Sequence, residues 1–165
     1  MNINKVLVAN RGEIAIRIFR ACTEINVKTV GVYTFEDRYS LHRYKADESY
    51  QIGEDNDPLK PYLNKDELIR VALENNVDAI HPGYGFLSEN AEFAQKCKDN
   101  GIIFIGPKVS VLKSLGDKIT AKQVALENNV PIIQSNSKDL DSIDIAISEA
   151  EAIGYPVMLK AASGG

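Results

Sequence analysis

Apolar residues gather in short unbroken runs separated by stretches of helical spacing. Lys5 to Ala9 (KVLVA) is a continuous run of the kind carried by a strand buried on both faces. From Gly12 the period changes: Ile14, Ile18, Ala21, Cys22 and Ile25 recur at helical spacing, and a second apolar run, Thr29 to Tyr33, follows within a few residues. This predicts a β-α-β unit with a right-handed crossover. A polar stretch covers Glu36 to Asp47, a strand is predicted at Glu48 to Ile52, and a turn-rich loop runs through Pro58 and Pro61. Asn64 precedes a helix running to about Asn76, with Glu67 at capping-box spacing. Val77 to Ile80 is a fourth strand leading into HPGYGFLSEN. Ser88 is predicted to cap a helix to Asn100, which Gly101 ends before a fifth strand, Ile102 to Ile105. Repeated β-α alternation favours a parallel sheet in an α/β fold.

After Gly106-Pro107 the order changes. Two helical stretches follow in succession, Val109 to Leu115 and Asp117 to Asn128, with Gly116 between them, and the domain boundary is placed there: residues 1–115, then 116–165. A Ser/Asp-rich linker leads to an amphipathic helix, Ser142 to Ile153, stopped by Gly154. Tyr155 to Leu159 then reads as a buried strand entering a glycine-rich loop at Gly164-Gly165, as though a second domain had only begun. VALENNV occurs twice, at Val71 to Val77 and Val124 to Val130. Asn tolerates the left-handed conformation, so the repeat is read as a shared way to end a helix rather than a fold repeat.

A length of 165 residues with 44% apolar content allows one sizeable core plus the start of another domain. No run of about 18 apolar residues and no secretory leader is present, so no membrane partner is expected and a cytoplasmic location is the default. Cys22 and Cys97 lie far apart without a metal or redox motif and read as small core hydrophobes. A formal charge of −4 without a long basic run argues against a nucleic-acid partner.

The first β-turn-α invites a dinucleotide site, but only Gly12 stands where three glycines are needed, and Arg17 occupies a position that calls for a small residue. Arg17, Arg20 and Glu24 share one side of that helix, as a solvated face or a subunit interface. HPGYGFLSEN lies at the carboxyl end of a parallel strand, where open α/β sheets bind ligands. Tyr84 and Glu89 are its candidates for a pocket, with Glu89 expected in the first turn of the next helix. The plainer alternative is that Glu89 complements the helix dipole and His81 makes a hydrogen bond at a strand end; His42 is a weaker candidate still. Lys118 opens a helix behind Asp117, opposing the macrodipole unless a shared anion is present, and Lys160 ends an apolar run. With the Gly164-Gly165 loop, the two lysines suit a phosphate, or else are solvated charges.

VANRGEIAIRIFRA, HPGYGFLSENAEFA, FIGP followed by GDK, and GYPVMLKAASGG occur in this order, and together they resemble the biotin carboxylase domain of biotin-dependent carboxylases over essentially the whole chain. SLHRYKADESYQIG with Pro61-Tyr62-Leu63 is similar to the pyruvate carboxylase branch more than to the acetyl-CoA or propionyl-CoA carboxylases. The resemblance implies a Rossmann-like pre-ATP-grasp domain followed by the start of an ATP-grasp fold. It implies a ligase in which ATP and bicarbonate give carboxyphosphate and biotin captures the carbon dioxide. It places Lys118, Lys160, Gly164 and Gly165 at ATP, Tyr84 and Glu89 at the biotin and bicarbonate pocket, and Arg17, Arg20 and Glu24 in a homo-oligomer contact. It also implies a biotin carrier domain as partner, and Mg2+ ligands and catalytic residues beyond Gly165, so that this chain alone is expected not to turn over. A dinucleotide-binding oxidoreductase domain and a non-catalytic dimerisation module are the competing readings.

Overall fold

The computed structural model describes residues 2–54, 56–116, 118–132, 140 and 142–159, with Lys118 and Ile119 described by their backbone alone. The chain divides into two units, residues 1–112 and 113–165.

The first unit is built on a five-stranded parallel sheet in the order β3-β2-β1-β4-β5. β1 is Lys5–Val8, β2 Lys28–Tyr33, β3 Glu48–Gln51, β4 Ala79–His81 and β5 Ile103–Phe104. Alternation along β1 explains its unbroken apolar run, because both faces are covered. Val6 and Val8 pack with Ala15, Ile18, Phe19 and Cys22 of helix α1, Gly12–Glu24. Leu7 and Ala9 point the other way, into a core shared with Leu68 and Ala72 of α2 (Lys65–Glu74) and Phe93 and Cys97 of α3 (Ala91–Asp99). Gly31 in β2 allows close packing, since a Cβ there would sit tightly against Phe19 Cζ and Ala46 Cβ, each at 3.2 Å.

One device ends four helices. Asn26, Asn76, Gly101 and Asn129 adopt positive φ of 58°, 51°, 72° and 56°. The next N–H reaches back to the helix in each case: Val27 to Cys22 O, Val77 to Ala72 O, Ile102 to Cys97 O and Val130 to Ala125 O, all at 2.9 Å. These are Schellman endings. The first three turn α1, α2 and α3 toward β2, β4 and β5, so helix termination and strand entry are one event. The two copies of VALENNV share this geometry down to the side chain, with Asn75 Nδ2 and Asn128 Nδ2 donating to Val71 O and Val124 O at 2.8 Å.

Helix starts differ from the sequence reading in detail. Asn64 Oδ1 accepts from Glu67 N at 3.1 Å, but Glu67 Oε1 accepts from Gly53 N at 2.9 Å, so half of the capping box is spent on tying the preceding loop. Asn90, not Ser88, caps α3, with Oδ1 accepting from Phe93 N at 2.8 Å. Ser88 is held in a turn by its N–H on Gly85 O, which delays the helix by one Asx cap. The polar stretch at 36–47 holds two single-turn 3-10 helices, Glu36–Tyr39 and Leu41–Tyr44.

In the second unit, α4 (Val109–Gly116) straddles the division, followed by α5 (Lys118–Glu127) and α6 (Ile143–Ile153), which Ser142 caps through Ile145 N at 3.3 Å. No described side chain of α5 or α6 is buried. Tyr155 to Leu159 forms no strand and is exposed, against the sequence expectation. A strand needs a hydrogen-bonded neighbour, and the described residues of this unit contain none. None of the described helices is long and apolar enough to cross a membrane.

Candidate functional site

Strand order reverses between β1 and β4, whose carboxyl ends define the crevice where open α/β sheets take ligands. Here Asn10 fills it. The side chain is 4% exposed, and its Nδ2 donates to Pro82 O at 2.7 Å and Tyr84 O at 2.8 Å while Oδ1 accepts from Arg11 N at 2.9 Å. Gly83 is dictated by the same approach: its φ is +69°, and a Cβ would lie 2.7 Å from Asn10 Nδ2. A carboxamide therefore occupies the crevice, and the glycine spacing that a dinucleotide pyrophosphate calls for is missing beside it.

The loop after β4 is fixed from several sides. His81 Nδ1 accepts from Gly83 N at 3.0 Å, and burial lowers the His81 pKa, so a neutral ring accepts at the strand end. The plainer role weighed for His81 is thus present. Tyr84 projects from the loop, 64% exposed, and its hydroxyl donates to Glu13 Oε1 at 2.6 Å. That hydrogen bond from a phenol that must stay protonated, with the nearby carboxylate charge, raises the Tyr84 pKa. Glu89 is exposed and precedes the Asn90 cap, so it is not in the first turn of α3; Glu92 holds that position.

Beside the crevice lies a charged cluster. Asp37, 3% exposed, accepts from Arg11 Nη2 at 2.6 Å, Tyr62 OH at 2.8 Å and Ser40 Oγ at 2.8 Å. Burial alone would raise the Asp37 pKa, but the hydrogen bonds from Arg11, Tyr62 and Ser40 outweigh it and hold the carboxyl below its ordinary range. The residue between the crevice asparagine and α1 is thereby anchored to the loop that follows β2. His42 is buried, with Nε2 3.2 Å from Val32 O and Nδ1 without a partner, and burial lowers its pKa. Both thiols are buried; desolvation raises Cys22 and pushes Cys97 up to about 12, which makes them inert packing groups.

Arg17, Arg20 and Glu24 are exposed on α1 but border different hollows. Arg17 lines an apolar groove of about 580 Å³ with His81 and Tyr84, whereas Arg20 and Glu24 line a smaller one of about 270 Å³ with Lys45. Lys118 is the first residue of α5. Lys160, Gly164 and Gly165 lie outside the described residues. Sequence reasoning passed over Asn10 and Glu13. The signal was a polar residue directly after a buried strand, where an unpaired amide would be costly.

The family described as "Biotin carboxylase, N-terminal domain" matches residues 2–112. The chain belongs to that family. Residues 117–165 match "Carbamoyl-phosphate synthase L chain, ATP binding domain". The pyruvate carboxylase of Bacillus subtilis is 52% identical over 164 residues, covering 99% of this chain and 14% of that protein. Human mitochondrial pyruvate carboxylase is 50% identical over 163 residues, with the same coverage of 99% and 14%. The chain thus spans about 14% of the length of these relatives. Among solved structures, the biotin carboxylase domain dimer of Hydrogenobacter thermophilus 2-oxoglutarate carboxylase, in complex with MgADP, ADP and bicarbonate, matches with a TM-score of 0.94 and 45% identity, over 100% of this chain and 36% of that one. A Rhizobium etli pyruvate carboxylase variant with the allosteric activator acetyl coenzyme-A matches with a TM-score of 0.92 and 49% identity, over 100% and 15%. The parallel sheet of this biotin carboxylase N-terminal domain bears out the α/β, Rossmann-like expectation, and the downstream match agrees with the start of an ATP-grasp fold.

Proposed function

We propose that this chain is the opening part of the biotin carboxylase region of a pyruvate-carboxylase-type ligase. ATP and bicarbonate are used to carboxylate biotin on a carrier domain, and the carboxyl group passes to pyruvate, giving oxaloacetate. The observation that carries this reading is 52% identity to a pyruvate carboxylase over 99% of the chain.

The residues present fit the ligands. Tyr84, exposed between Gly83 and Gly85, offers an aromatic face to a planar group such as the ureido unit of biotin, and Glu89, also exposed, is the carboxylate of the same loop. Lys118 stands at the first position of α5, and its match to the motif is what assigns it to a phosphate in this reading. Lys160, Gly164 and Gly165 complete the ATP site in this reading, by resemblance of their motif. ATP supplies the phosphoryl group that activates bicarbonate, and biotin supplies the nitrogen that accepts the carboxyl. This chain's residues bind and position both, while Mg2+ ligands and catalytic groups are assigned to polypeptide beyond these 165 residues. Arg17, Arg20 and Glu24 are proposed as part of a homo-oligomer contact, supported by a neighbour that is a biotin carboxylase domain dimer. A cytoplasmic location stays a proposal, and a mitochondrial relative makes fractionation the deciding test.

The test is ATP cleavage by a polypeptide extended to the length of its relatives. Cleavage is expected only with bicarbonate and biotin together. Lys118→Ala or Lys160→Ala should raise the KM for ATP about tenfold or more, the size expected for one hydrogen bond to a charged group. Cleavage indifferent to bicarbonate contradicts the proposal. The match to a 2-oxoglutarate carboxylase domain favours one second reading, a different oxo-acid acceptor, which an acceptor assay with pyruvate and 2-oxoglutarate separates.

A further inference from the structure

Tyr84 is gripped at two points, and both grips come from the β1–α1 junction. Asn10 Nδ2 holds its backbone carbonyl at 2.8 Å and the adjoining Pro82 carbonyl at 2.7 Å. Glu13 Oε1 holds its hydroxyl at 2.6 Å. An exposed tyrosine on a loop with two positive-φ glycines has rotamers to lose, and a two-point hold removes them before any ligand arrives. The carboxamide of Asn10 spends its two donor contacts on the carbonyls that flank Gly83 and accepts from Arg11 N, so it ties the Tyr84 loop to the end of β1. Glu13, in the first turn of α1, also suits the helix dipole, which is the ordinary reason for an acid there.

We propose that Asn10 and Glu13 are positioning residues that fix Tyr84 for ring recognition in the biotin pocket, so that they act on biotin affinity without touching biotin. This rests on the reading of Tyr84 as a pocket residue. The pair is a device for pre-organisation: the entropy of ordering the loop is met by folding, not by binding.

The experiment is the biotin-dependent ATP cleavage of the extended polypeptide with free biotin as probe, comparing the KM for biotin with the KM for ATP. Glu13→Ala should raise the biotin KM about 3- to 10-fold, the equivalent of one exposed charge-assisted hydrogen bond, and change the ATP KM less than about twofold. Glu13→Gln keeps the acceptor but loses the charge, and is expected to restore the biotin KM to within about twofold, which a helix-dipole role would not do. Asn10→Asp keeps the shape but sets an oxygen against two carbonyls; it should raise the biotin KM as well, with melting temperature as a check on folding. If Asn10→Asp does not fold, the Glu13 pair decides alone. Tyr84→Ala separates the failures. An unchanged biotin KM in Tyr84→Ala overturns the pocket reading, and the inference with it. A raised biotin KM in Tyr84→Ala with no effect of Glu13→Ala, or with equal effects of Glu13→Ala on both substrates, overturns the positioning role alone.

Discussion

Asp37 keeps its charge with almost no access to water because three donors from separate segments converge on it. Asp37→Asn should therefore cost about 2–4 kcal/mol, and Tyr62→Phe about 1–2 kcal/mol, measured by urea denaturation. The pH dependence has a definite sign. With its folded-state pKa below the usual range, Asp37 contributes stability above its unfolded value, about 3.9, and loses it as pH falls through the lower folded value. Burial lowers His42 and His81, so the unfolded chain takes up protons first and stability declines as pH drops below the ordinary value of 6.5. The urea midpoint should be lower at pH 5.5 than at pH 7.5, and an equal or higher midpoint contradicts the buried neutral histidines. The hydrogen bond of His81 at its strand end was legible in the sequence, whereas the Asp37 cluster was not. Residues 36–47 read only as a polar stretch because the partners that bury Asp37, Arg11 and Tyr62, lie 26 and 25 positions away.

Helix endings show the opposite case, in which local chemistry sufficed. Asn-Asn-Val announced a left-handed stop, and both copies of VALENNV have one, as does the single Gly101. Asn76→Gly should leave stability within about 0.5 kcal/mol or raise it, whereas Asn76→Ala should cost about 1 kcal/mol, because only the alanine resists positive φ. Equal urea midpoints for the two variants contradict the motif. Elements whose partners are distant were read less well. Ser88 and Asn90 compete as caps of α3, and the turn made by Gly85 to Ser88 decides between them. The expected strand at Tyr155 to Leu159 had the right composition, but apolar content cannot supply a neighbouring strand.

On the scale of the molecule, the parallel sheet and the loop at its switch point follow from the alternating pattern of the first half, and the sheet's core lies wholly within residues 1–112. A polypeptide ending at Gly116, the end of α4, should unfold in a single cooperative transition, with circular dichroism and tyrosine fluorescence coincident. Separate transitions for the two probes contradict an independent first unit. Legibility of function had a different source: four motifs in order identified the family, while the residues that hold its loop in place, Asn10 and Glu13, were visible only once β1 and β4 lay side by side. The most direct test of the whole account is transfer of carbon-14 from bicarbonate to biotin by the extended polypeptide, with and without ATP. Label on biotin that requires ATP and falls sharply in Tyr84→Ala is the predicted result; no labelled biotin, or labelling that proceeds equally well without ATP, contradicts it.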